Sequence, residues 1–254
     1  AELMAVAVTS RPPMGDSPAR AKAKETIWRL AALAFGHPSE EIFEAFVSGD
    51  FHAAFSDAWA KATGAPWPRM QAAADFASFE AGYIYAFLHG RGGKPTAALL
   101  AGDHEHILAG LTRPAFMLNV AAFYKHFGLK AATGEEGKQD EPAHLSSMLE
   151  LMAVLCHLAA RALASGKDAS GYRRAQRDFL CRYLGSTLET VAGLLRKTPV
   201  ETLDPTVAQL VQDLPLWAET QINELEARVG PFRDPDAPQA TNTAAPQAEQ
   251  NLWG

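Results

Sequence analysis

Histidines, cysteines and carboxylates are the groups through which this chain could do chemistry, and each of their groupings implies a geometry. GDHEHIL, residues 102–108, places His104 and His106 two apart around Glu105. On a strand both imidazoles would share a side and could hold a metal, but on a helix they diverge by about 200°. The surrounding pattern is helical, so they read as exposed histidines near a helix start, with a metal enzyme built on His104, Glu105 and His106 as a minor alternative. Cys156 and His157 are adjacent, hence about 100° apart on a helix, which does not suit a thiol–imidazole dyad. There is no GxSxG elbow to present a serine nucleophile. HGRGGKPT, residues 89–96, has Pro95 where a phosphate-binding loop needs Ser or Thr after its lysine, and no strand precedes it. It reads as a mobile connection between helices. The pairs Glu135/Glu136 and Asp140/Glu141 fall in a polar loop and read as solvated charge. No catalytic residue emerges, and no metal or cofactor is expected.

One polar grouping remains, at the head of DEPAHLSSMLELMAVLCHLAARAL, residues 140–163. A turn-like Asp140-Glu141-Pro142 leads through His144 into a long apolar helix. Leu145, Met148, Leu149, Met152, Leu155, Cys156, Ala159 and Leu163 make its stripe, while Glu150, His157 and Arg161 recur seven and four apart on another side. A solvated row beside a core stripe is the plain reading. An all-α ligand- or haem-binding protein using His144 or His157 is the alternative.

The elements that position this corner are helical almost throughout. Apolar residues recur at three and four in 19–35, 39–48, 50–63, 69–88, 113–127, 143–163, 169–197 and 205–228, with a short helix at 103–110. Ser39, Asp50 and Thr112 stand where caps belong, and Gly/Pro clusters separate the segments. No convincing alternating strand or repeat occurs, so the expected fold is a single all-α helical bundle without a sheet. Residues 1–18 are expected to be a flexible lead-in, 19–229 the helical domain, and 230–254, rich in Pro, Gln, Ala and Thr, a disordered tail.

Across 254 residues the net charge is −6, which argues against a nucleic-acid partner. No apolar run approaches the roughly 20 residues that span a bilayer, so no membrane insertion is expected. The two cysteines read as free thiols of a reducing compartment. With no leader evident at the start, a cytoplasmic location is expected.

The segment DEPAHLSSMLELM resembles the signature of the TorD/DmsD/NarJ family, dedicated chaperones of molybdenum-containing oxidoreductases. That signature runs E-P-D-H-L, a spacer, then E/L-L-E-F-M. Glu141, Pro142, His144, Leu145, Glu150 and Met152 match it in order and spacing, while Ala143 replaces the Asp, Leu151 the aromatic and Met148 a frequent first Glu. TIWRLAALAFGHPSEEIF is similar to the family's opening helix, and FASFEAGYIYAFLHGRGGKP to its aromatic helix and hinge. AQRDFLCRYLGSTLETVAGLL is similar to its penultimate helix, with Tyr183 at a frequent His and Gly185 near a frequent Trp. The hinge and the LLAGDHEH stretch after it resemble the branch serving type II enzymes such as ethylbenzene, dimethyl sulfide, selenate or chlorate oxidoreductases.

The resemblance implies a TorD-like bundle that is not an enzyme. Its partners would be the apo catalytic subunit of a molybdoenzyme and that subunit's twin-arginine signal peptide. It would hold the subunit back from export until the molybdenum cofactor is inserted. Such a chaperone needs an apolar groove and carboxylates for guanidinium groups. Tyr83, Phe87, Met148 and Met152 are the expected groove residues, and Asp140, Glu141 and Glu150 the expected charges. Pro142 would fix the loop's entry angle and His144 would anchor the corner to a neighbouring helix. Monomer and swapped dimer both remain open.

Overall fold

Short polar side chains set half of the described α-helix starts by accepting the N–H groups that a first turn leaves free. In the computed structural model, which describes residues 15–129 and 141–235, Ser17 caps α1 (Pro18–Phe35) and Ser39 caps α2 (Glu40–Ser48). Asp75 caps α4 (Phe76–Phe87), accepting from Ser78 N–H at 2.7 Å. Thr112 caps α6 (Arg113–His126) and Asp204 caps α10 (Pro205–Val229). α3 (Asp50–Thr63) departs from expectation: Gly49, at φ +87°, is its cap and Asp50 is its first residue, where a carboxylate favours the helix dipole.

The remaining helices are α5 (Glu105–Leu108), α7 (Leu145–Ala164), α8 (Ser170–Phe179) and α9 (Gly185–Lys197). The only strand-like pairing among the described residues is an isolated antiparallel bridge between Leu100 and His144. The fold is all-α.

Two segments differ from the sequence reading. Residues 69–75, expected to be helical, are irregular, because Asp75 starts the helix late and the Asp204 carboxylate takes the Ala73 N–H at 2.8 Å. The helix expected over 169–197 is interrupted by one π-helical turn, Leu180–Leu184, between α8 and α9.

α1 and α7 form the central pair, with α3, α8 and α10 packed around them. Ile27, Trp28, Ala31 and Phe35 of α1 and Leu145, Met148, Leu149, Met152 and Leu155 of α7 are essentially inaccessible. By length and composition α7 could cross a membrane, which corrects the expectation that no apolar run approaches that length. Here its apolar side chains pack against protein, as in a core helix. α4 reaches the core through a glycine. A Cβ at Gly82 would lie 2.0 Å from the Thr202 carbonyl oxygen, so only glycine allows this approach.

A polar clamp closes the bundle. Arg20 of α1 donates to the Ala62 carbonyl at the end of α3 and, at 2.6 and 2.9 Å, to Glu224 of α10. Lys24 reaches the same carboxylate at 2.9 Å. Burial would raise the Glu224 carboxyl, but Arg20 and Lys24 hold it below its ordinary value.

Candidate functional site: a braced corner and an acidic groove

The corner at residues 141–146 is held by backbone bonds to the strand-like segment that follows the Gly-rich connection. Ala101 N–H donates to the Ala143 carbonyl at 3.0 Å, and Leu145 N–H donates to the Leu99 carbonyl at 2.9 Å. Within the corner, His144 N–H donates to the Glu141 carbonyl at 2.8 Å. Tyr124 of α6 donates its hydroxyl to the Pro142 carbonyl at 2.9 Å. Burial, aided by the Glu150 charge, pushes the Tyr124 hydroxyl well above the ordinary phenol range, so it stays a donor.

His144 caps α7: its Nδ1 accepts from Ser146 N–H at 3.1 Å and lies 2.8 Å from Ser146 Oγ. That acceptor role places the ring proton on Nε2. His144 is thus tied to the first turn of its own helix, where the sequence led us to expect an anchor to a neighbouring one. Glu141 is half-exposed, 3.6 Å from Arg113, whose other nitrogen is 2.8 Å from Asp103. Ala143, which replaces the signature's Asp, is fully buried, so a carboxylate there would have to be desolvated.

Four expected groove residues lie elsewhere. Tyr83, Phe87, Met148 and Met152 are at most 3% exposed, and they form core, not groove wall. Tyr83 donates its hydroxyl to the Phe35 carbonyl at 2.7 Å, which ties the end of α1 to α4. Periodicity placed these side chains on apolar stripes correctly, but stripes point to a core before they point to a partner. Asp140 lies outside the described residues.

Glu150 is exposed and stands in a groove the sequence reading did not assemble. A cleft of about 510 Å³ runs between α1, α2, the start of α3 and the first turns of α7. Leu30, Leu33 and Ile42 supply its apolar surface, and Glu41, Asp50 and Glu150 supply carboxylates. Leu33 is 55% exposed, unusual for a leucine on a central helix. Arg29 also lines the cleft, but it is tied to Glu25 at 2.9 Å. The signal for this groove was present in residues 29–42: an apolar pair left over from the α1 core stripe, followed by Ser39-Glu40-Glu41.

The other candidate groups have protein partners. His157 does not join Glu150; its Nδ1 lies 3.2 Å from the buried Glu25. His104 Nε2 is 2.8 Å from the Ala98 carbonyl and His106 Nε2 is 2.8 Å from Thr190 Oγ1. Among the described residues no three His, Cys, Asp or Glu side chains converge as metal ligands. Burial pushes the Cys156 thiol up to about 12 and the Cys181 thiol up to about 11, so neither is an activated nucleophile.

A family model described as the nitrate reductase delta subunit matches residues 51–191. The chain belongs to this family, the NarJ-like group that its corner signature resembles. Over 96% of its length it is 50% identical to the dimethyl sulfide dehydrogenase assembly chaperone protein of Rhodovulum sulfidophilum, covering 97% of that protein. It is 35% identical to the selenate reductase assembly chaperone protein of Thauera selenatis, over 48% of this chain and 59% of the relative. It is 30% identical to the perchlorate reductase assembly chaperone protein of Dechloromonas aromatica, over 64% and 73% respectively. No solved structure matches. The delta-subunit match spans α3 to α9 and includes the corner, whereas α1, α2 and α10, which supply half the groove and the polar clamp, lie outside it.

Proposed function

We propose that this chain is an assembly chaperone for the catalytic subunit of a molybdenum oxidoreductase, and that the α1–α2–α7 groove receives the subunit's twin-arginine signal segment. The family and the relatives named as assembly chaperones support the first part. The near full-length likeness to the dimethyl sulfide dehydrogenase chaperone favours a client of the type II kind. The groove supports the second part. A signal segment carries two guanidinium groups beside an apolar stretch, and Glu41, Asp50 and Glu150 stand around Leu30, Leu33 and Ile42.

In this reading the chaperone acts in the cytoplasm, before export and before or during cofactor insertion. Glu150 is the charge that links groove and corner, since it sits on the helix that His144 caps and its field reaches Tyr124. Glu141 is a second guanidinium site only if a client arginine competes with Arg113 for it.

Fluorescence anisotropy of a labelled twin-arginine signal peptide from the client tests the site. Glu41→Lys and Glu150→Lys should each weaken binding by roughly tenfold or more with an unchanged thermal midpoint. Undiminished affinity in both variants would remove the groove from the mechanism.

A further inference from the structure

A second cavity is separate from the proposed signal groove and shares no residue with it. About 820 Å³ opens between α6, α8 and the π-helical turn, and four aromatic rings line it: Phe123, Phe127, Tyr172 and Tyr183. The first three are only half-buried. The extra residue in the π-helical turn brings Arg182 and Tyr183 to this wall, with the Arg182 guanidinium 5.4 Å from the Tyr183 ring centre. Arg174 and His126 add positive or titratable edges, against one carboxylate, Asp178.

The path of the chain after α10 leads to the same place. Gly230, at φ +87°, turns the chain out of α10. Arg177 of α8 then holds the Val229 and Gly230 carbonyls at 3.1 and 2.8 Å. Pro235, the last described residue, is itself part of the cavity wall. Residues 236–254 therefore begin at the cavity's edge. They contain no Lys or Arg, two carboxylates at Asp236 and Glu249, and only two large apolar side chains, Leu252 and Trp253. A random-coil chain of nineteen residues would have a root-mean-square span of roughly 23 Å, and tethering would hold its far end at an effective concentration of about a millimolar. The segment 130–140, which follows α6, has no aromatic side chain to offer.

We propose that the cavity between α6 and α8 is the docking site of this chain's own C-terminal segment, with Leu252 and Trp253 against the aromatic wall and the acidic residues toward Arg174 and Arg182. The contact is intramolecular and covers a surface that a partner would otherwise meet, so a partner of that surface must displace the tail. It goes beyond the chaperone reading and does not depend on it.

The test is fluorine NMR of the full chain labelled with 5-fluorotryptophan, which gives five lines for five tryptophans. Trp253→Phe assigns the tail line, and the other four report on the core. The tail line should be displaced from its position in a free labelled peptide of residues 245–254, equally at all protein concentrations. Ala122→Glu and Asn119→Glu, exposed substitutions in the cavity wall, should return it to the free position and leave the core lines in place. A tail line at the free position in the unaltered chain would overturn the proposal and leave the cavity open to a partner. A displaced line that both variants leave unmoved would place the tail elsewhere. Displacement that grows with concentration would place it on a second copy.

Discussion

Tyr124 and His144 show how single side chains fix the corner. Replacing Tyr124 with Phe removes the donor to the Pro142 carbonyl inside a largely buried setting, so urea unfolding should show a loss of about 1 kcal/mol. Pro142 loses an anchor in the same step, so signal-peptide affinity should fall as well. At this scale the sequence was partly legible. The spacing of Glu141, Pro142, His144 and Glu150 located the corner, but it did not mark His144 as the cap of α7. It could not tell Glu150, which faces an open groove, from His157, whose imidazole meets Glu25 of a helix over a hundred residues earlier. Nor could it separate a methionine in the core from one in a groove, because Met148 and Met152 obey the same helical period in either place.

At the scale of elements, apolar period and capping residues placed nearly every helix within a few residues. They failed where tertiary contacts override local preference. Residues 69–75 are drawn out because Asp204, far along the chain, takes the Ala73 N–H. The π-helical turn at 180–184 leaves no trace in periodicity, although Gly185 marks it: a Cβ there would lie 2.8 Å from the Leu180 carbonyl. Gly82 gives the sharpest test of an element contact. Gly82→Ala improves helix propensity by about 1 kcal/mol, yet its methyl must displace the Thr202 backbone. A net destabilisation of about 1–3 kcal/mol is expected in chemical denaturation, and a stabilised variant would mean that α4 does not approach this closely.

Across the whole molecule, α1 is joined to α3 and α10 by Arg20, Lys24 and Glu224, and to α7 by Glu25 and His157. Burial opposes ionisation of Glu25, but hydrogen bonds from Lys22 and His157 lower its pKa, as Arg20 and Lys24 do for Glu224. Both carboxyls are therefore depressed in the folded state. Their stabilisation is present above the ordinary value of 4.5 and is lost as pH falls through the lower folded-state values. The thermal midpoint should drop steeply below about pH 4.5, and Glu224→Gln should flatten that dependence while lowering the midpoint at neutral pH. The clamp matters for function because α1 carries Leu30 and Leu33, so fixing α1 against α10 fixes one wall of the groove.

The most direct measurement is affinity capture of the tagged full-length protein from its native host, with mass spectrometry of what accompanies it. The expected result is one molybdenum oxidoreductase catalytic subunit, retaining its twin-arginine signal and recovered in smaller amount with Glu41→Lys/Glu150→Lys. Recovery of the mature, signal-free enzyme, or of no such subunit under conditions where the client is expressed, would contradict the account.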